Sequence, residues 1–139
     1  MADTIYQGWE YPSVKGDPPA ARFIKMILSP EVNGYEHASV LFSHIPPGGT
    51  TGVHTHTSDE IMYVVGRGEG TVGGKTQKLE TDTVIFAPRG IEHECRNTGD
   101  TDTLRLFCVY IPALQPSPLV QQAIEKTKEY LKKRKQTAP

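Results

Sequence analysis

An all-β sandwich or barrel with one helix at its C-terminal end is the fold class that this 139-residue sequence predicts. Three observations carry it. The chain holds 13 Gly and 11 Pro, a density of backbone punctuation that breaks long helices and suits short strands joined by turns. Between those turns run six or more short segments with strand-like alternation or continuous apolar character. Beyond residue 117 the pattern changes to a helical stripe.

Residues 1–20 are rich in Gly and Pro and read as an arm. Arg22 to Leu28 alternates, with Ile24, Met26 and Leu28 on one face, and reads as the first strand. Ala38 to Ile45 is the second, stopped by Pro46-Pro47-Gly48-Gly49. Glu60 to Val65 is the third and runs into a Gly-rich turn. Thr71-Val72 and Lys75 to Leu79 flank Gly73-Gly74, a two-residue hairpin signal. Thr83 to Phe86 ends at Pro88-Arg89-Gly90, His93 to Asn97 follows, and Thr103 to Ile111 is the last and most apolar strand. Ser117-Pro118 is a helix start, an N-cap followed by Pro at the first helical position. Val120, Ala123, Ile124, Thr127 and Leu131 then share a stripe, predicting an amphipathic helix over about 118–133 that packs on the barrel or on a partner subunit. One domain over 1–139, with a barrel core at about 22–112, is expected from this length.

Several function classes are disfavoured. No apolar run approaches the roughly 18 residues of a membrane span. The first 13 residues lack the basic and apolar regions of a signal peptide, so a cytoplasmic location is expected. Cys95 and Cys108 have no zinc-ribbon spacing and cannot form a disulfide framework. Lys126, Lys128, Lys132, Lys133, Arg134 and Lys135 gather near the C-terminus and leave the preceding residues acidic, although the whole chain has a net charge of only -1. An acidic body is a poor partner for nucleic acid, whose binding depends on neutralising phosphates. The basic tail reads as a solvated helix end, with contact to an anionic surface as the alternative.

The histidines carry the chemistry. His54 and His56 are two apart, and on a strand both point to one face. Glu60 has the same parity, and His93 stands on a later segment. Three imidazoles and a carboxylate can thus converge, a mixed donor set that suits Fe(II), Mn(II), Ni(II), Cu(II) or Zn(II). On spacing alone the bland alternative stays open, with an H-x-H pair in a polar loop and a carboxylate at a strand start.

The surrounding punctuation extends the pattern. Gly48-x5-His54-x-His56-x3-Glu60, followed by the Gly-rich turn, resembles the first motif of the cupin family. Asp82-x5-Pro88-x-Gly90-x2-His93-x3-Asn97 resembles the second, and the resemblance spans about residues 38–112. It implies a double-stranded β-helix, or jelly-roll barrel, in which His54, His56, Glu60 and His93 hold one divalent transition metal per chain. Fe(II) is the favoured ion, with Mn, Ni, Cu or Zn as alternatives. Two positions depart from the family pattern. The Gly expected after six intervening residues is displaced, since Gly66 and Gly68 follow Glu60 after five and seven. Thr81-Asp82 replaces the opening Gly of the second motif, so either that turn avoids positive φ or Asp82 tolerates it. His37 and His44 match no ligand.

Parity places Met62 and Val64 beside Glu60, and Cys95 and Asn97 beside His93, as candidate pocket residues. No further Glu, His or Tyr claims the pocket as a general base, and no catalytic residue is identified. The favoured activity is an iron-dependent dioxygenase acting on a small chelating organic molecule. A metal-dependent isomerase or lyase and a non-catalytic small-ligand or sugar-binding module are the alternatives. Small cupins that act on dimethylsulfoniopropionate carry Tyr two residues after the ligand Glu, where this chain has Met62. Cupin thiol dioxygenases lack the Glu that stands here at position 60. The resemblance also implies a homodimer, with Tyr6, Trp9 and Tyr11 in an arm that crosses between subunits.

Overall fold

The computed structural model describes residues 4–137. The lead-in forms a short 3₁₀ turn, Gly8–Glu10, and strand β1, Val14–Gly16. There follow β2 (Arg22–Leu28), α1 (Pro30–Asn33), β3 (Ser39–Ile45), β4 (Asp59–Val65), β5 (Gly68–Val72), β6 (Lys75–Leu79), β7 (Val84–Ala87), β8 (His93–Arg96), β9 (Leu104–Ile111) and α2 (Pro118–Thr137). They make a six-stranded sheet, β1-β2-β3-β9-β4-β7, facing a three-stranded sheet, β6-β5-β8. Every pairing is antiparallel. This is the all-β jelly-roll architecture with one long C-terminal helix.

Alternation along the strands builds the core. On β9, Leu104, Leu106, Cys108 and Tyr110 face inward and Arg105 and Phe107 outward. On β4, Glu60, Met62 and Val64 face inward. Gly73 and Gly74 both take positive φ, 56° and 80°, the backbone demanded by a two-residue hairpin turn whose twist matches its strands. Asp82 takes a φ of 76°, so this turn uses left-handed backbone without glycine, and Tyr63 donates its hydroxyl to the Asp82 carboxylate.

Local structure differs from the sequence expectation in several places, and α2 runs on to Thr137, past the expected end at about 133, while β5 starts at Gly68 within the expected Gly-rich turn. A register shift between Met26 and Leu28 inserts Ile27 as an extra residue. Ile27 is buried, whereas Leu28, expected on the same face as Ile24 and Met26, is only half-buried. The lead-in is also more ordered than an irregular arm. β1 pairs with β2 in the same chain, the Lys25 ammonium donates to the Gly8 carbonyl, and Tyr11 is buried. Residues 5–16 therefore lie along their own barrel, while Ile5 and Trp9 remain exposed. Residues 1–3 of the expected arm lie outside the described residues.

The helix α2 packs on β1, β2 and α1. Its buried stripe is Val120, Ala123, Ile124 and Thr127, and the Thr127 hydroxyl donates to the Met26 carbonyl at 2.9 Å. This tie stitches the helix to the strand that also carries Arg22. Among the described residues no helix is long and apolar enough to cross a membrane.

Candidate metal centre

His54 and His56 lie on an irregular segment that precedes β4, not on a continuous strand with Glu60. Backbone pairing to β8 holds this segment. The Thr51 amide donates to the Cys95 carbonyl, and His54 and His93 exchange both backbone hydrogen bonds at 3.1 and 3.0 Å. Between these two links the segment gains one residue, and Gly52 takes a φ of 73° there. The Gly90 amide closes the segment further on by donating to the His56 carbonyl. The ligand set therefore comes from cross-strand zippering plus one bulge, while Glu60 is supplied by β4.

The four ligand atoms lie within 4.8 Å of one another. Each imidazole is oriented by its Nδ1, which contacts a backbone carbonyl: Gly52 for His54 at 2.8 Å, Ser58 for His56 at 3.1 Å and Ile91 for His93 at 3.0 Å. A carbonyl oxygen only accepts, so each Nδ1 carries the proton and each Nε2 turns its lone pair to the centre. Nε2 of His56 and Nε2 of His93 lie 2.9 and 3.0 Å from the same Glu60 oxygen. That approach is favourable only when a second proton or another cation stands between nitrogen and oxygen. Two ligands about 2.1 Å from one ion and at right angles to it are about 3.0 Å apart. The donor set and its spacing therefore fit a divalent transition metal.

Electrostatics agree. Burial opposes the Glu60 charge, yet the hydrogen bonds to His56 and His93 outweigh it and bring its pKa down to about 2. Burial also opposes charge on His93, but the bonds to Glu60 and the Ile91 carbonyl prevail and raise its pKa. His54 is lowered, chiefly by burial. Burial and then the Glu60 charge push the Cys95 thiol up to about 12, and they raise Cys108 as well. Neither cysteine belongs to the converging group, whose donors are nitrogen and oxygen.

The group opens into a cavity of about 230 Å³. Met62 and Cys95 line it as parity suggests, whereas Val64 and Asn97 do not. Parity fixes the face but not the depth. Each stands four residues beyond its ligand, about 13 Å along an extended strand. Val64 is buried in the core. The Asn97 amide donates to the Ile45 and Asp102 carbonyls at 2.8 and 2.7 Å and ties down the loop before β9.

Several polar wall residues escaped the sequence reading, Tyr110 and Arg22 among them. Tyr110 on β9 places its ring 5.1 Å from that of His56, edge to face, so a tyrosine does occupy the pocket. Arg22 on β2 brings a guanidinium to the same cavity. Both had the right parity. Tyr110 shares the face of Leu104, Leu106 and Cys108, and Arg22 that of Ile24 and Met26. His37 is exposed, and His44 stacks on Phe42, away from the ligand group.

Comparisons with known proteins converge on one family. Residues 41–110 match the family model of the cupin domain. The chain is 35% identical over 60 residues to an oxalate-binding protein of Thermotoga maritima, a stretch covering 42% of this chain and 50% of that relative. It is 30% identical over 91 residues to an uncharacterised protein of Methanocaldococcus jannaschii, covering 64% of this chain and 73% of the relative. Among solved structures, a predicted oxalate decarboxylase from Thermotoga maritima superposes with a TM-score of 0.71 at 25% identity, covering 78% of this chain and 99% of that one.

Proposed function

The chain belongs to the cupin family, and on that premise we propose that it is a metal-dependent enzyme acting on a small organic molecule that chelates the ion through neighbouring oxygens. The convergence of His54, His56, Glu60 and His93 at the wall of a small cavity carries this reading. The kinship with a protein described as oxalate-binding supports an oxygen-chelating ligand.

A divalent transition metal bound there supplies Lewis acidity and, as iron, redox chemistry toward dioxygen. The chain contributes the rest. The carbonyls of Gly52, Ser58 and Ile91 fix the three imidazole orientations. Ile24, Leu41, Met62 and Leu106 give the cavity an apolar wall beside the ligand group's polar one. The finer reading is an iron-dependent dioxygenase. His54, His56, Glu60 and His93 would hold the iron, which would supply the redox chemistry, beside a cavity wall with Ile24, Leu41, Met62 and Leu106.

One observation favours a second reading, a lyase or isomerase using the ion as Lewis acid. Tyr110 keeps a phenolic proton beside the ligand group, because burial and then the Glu60 charge raise its pKa. Anaerobic loading with Fe(II), followed by oxygen uptake on a panel of β-diketones and catechols, separates the two. Oxygen-coupled turnover supports the dioxygenase. Turnover without dioxygen that falls in Tyr110→Phe supports the second reading. Ligand-induced stabilisation without turnover under any metal or gas identifies a binding module.

We also propose a homodimer. The outer face of the six-stranded sheet sets Ile61 beside Phe86 and Val109, and Tyr63 beside Val84 and Phe107. Val84 and Phe86 are 64% and 56% exposed, an apolar patch of the kind that marks an interaction surface. A dimeric mass that Phe86→Glu converts to a monomer supports this. A monomeric wild-type protein contradicts it.

A further inference from the structure

Charge in the cavity is unevenly placed. Apart from the three ligand histidines, the charged side chains along its wall are Arg22 and Glu60. Glu60 is engaged by His56 and His93. The Arg22 guanidinium donates from one nitrogen to the Ala20 carbonyl at 3.1 Å, and a planar guanidinium has five donors. Gly16 gives it room. A Cβ there would sit 3.2 Å from that Arg22 nitrogen.

A second polar group faces the same space. Ser43 on β3 is 3% exposed and lines the cavity, yet its hydroxyl has no hydrogen-bond partner. A buried hydroxyl without a partner is costly, and such a group calls for an explanation. The sheet register pairs Ser43 with Ile24, two residues from Arg22 on the same face of the neighbouring strand. A cation with unused donors and an unpaired hydroxyl thus share one wall. The ligand group belongs to the same lining, with Ile24, Leu41, Met62 and Leu106 among its apolar residues.

We propose that Arg22, with Ser43 beside it, anchors the distal carboxylate of a short dianionic organic acid whose other end meets the His54–His56–Glu60–His93 group. The inference rests on the reading that this group holds a divalent ion. With that ion, Glu60 and Arg22 counted together, the cavity carries two net positive charges. A dicarboxylate neutralises them, whereas a neutral chelator leaves the half-buried Arg22 without a counter-charge. A guanidinium also matches a carboxylate through two parallel hydrogen bonds, and the serine hydroxyl adds a third donor.

Titration calorimetry on the Mn(II)-loaded protein tests this, with oxalate, malonate, succinate and glutarate as probes and the metal content of each sample measured alongside. Malonate or its best homologue is compared with the corresponding monoamide, which keeps the shape and loses one charge. At least tenfold weaker binding of the monoamide to the wild type is expected. Arg22→Gln should retain its metal and lose about 10–100-fold in dicarboxylate affinity, in line with hydrogen bonds to charged groups. Ser43→Ala should lose about tenfold or less. Equal affinities for diacid and monoamide, or an Arg22→Gln protein that binds diacids as tightly as the wild type, overturn the inference. The wild-type diacid and monoamide comparison decides the matter even if Arg22→Gln does not fold. Failure of the underlying reading is a separate result, a wild-type protein that takes up no Mn(II).

Discussion

Replacing Glu60 by Gln keeps shape and volume and deletes one charge, so its consequences can be worked in two stages. The first is measured in chelator. A buried carboxylate held at about 2 instead of 4.5 contributes about 3 kcal/mol to the folded state. Glu60→Gln is expected to lose stability on that order at pH 6, where the carboxylate is ionised. The second stage adds Co(II) or Mn(II). Metal at a hundred times its dissociation constant stabilises the wild type by about 2.7 kcal/mol. Loss of an anionic ligand should weaken binding about 100-fold or more, given that even outer-shell changes cost 10–100-fold. At the same metal concentration the variant then gains only about 0.4 kcal/mol. The gap between the proteins should therefore widen from about 3 to about 5 kcal/mol on adding metal. Urea unfolding followed by circular dichroism reads both numbers. A gap that does not change with metal would falsify the assignment of Glu60 as a ligand, whatever its size in chelator.

Other expectations follow from the same geometry. In the metal-free protein, the raised pKa of His93 contributes stability that is complete below 6.5 and is lost as pH rises through the folded value. The lowered pKa of Glu60 contributes stability present above 4.5 and lost as pH falls toward about 2. Chelated protein should thus be most stable between these limits, and added metal should move the optimum upward, as pH-resolved melting curves will show. Metal occupancy should fall on acidification as protons compete for the imidazoles, and at equal metal concentration Glu60→Gln should lose its ion at higher pH, because its affinity is lower from the start. Gly52→Ala forces a φ of 73° on a residue with a Cβ, which would sit 3.2 Å from the Ala20 Cβ. It should cost about 1–2 kcal/mol and weaken metal binding through the His54–Gly52 contact, as urea and metal titrations will read. Thr127→Val removes this donor from the Met26 carbonyl and should cost about 1–3 kcal/mol in urea unfolding, with metal content unchanged.

Much of this molecule was legible in the chain. Strand faces such as Glu60-Met62-Val64 could be read because a pleated backbone alternates its side chains regardless of tertiary context. The helix start at Ser117-Pro118 could be read because capping is local, and the Val120 amide does approach the Ser117 hydroxyl at 3.4 Å. What escaped depends on distance through space. The bulge at Ile27 reflects how β2 meets both β3 and the lead-in, which no local pattern encodes. Val64 and Asn97 have the right face and the wrong depth, since parity carries no coordinate along the barrel. Arg22 and Tyr110 were visible by parity, yet a charged residue at a strand start and a tyrosine on a strand apolar on both faces gave no sign of facing a cavity. His54 and His56 were rightly grouped, but backbone exchange with β8 brings them together, not one continuous strand.

X-ray absorption on protein purified without added metal or affinity tag examines the four-ligand centre most directly. One ion per chain is expected, with nitrogen and oxygen neighbours at about 2.0–2.2 Å, the outer-shell scattering of three imidazoles, and loss of the ion in His93→Ala. A sulfur shell near 2.3 Å, or an ion that persists in His93→Ala, would contradict the account.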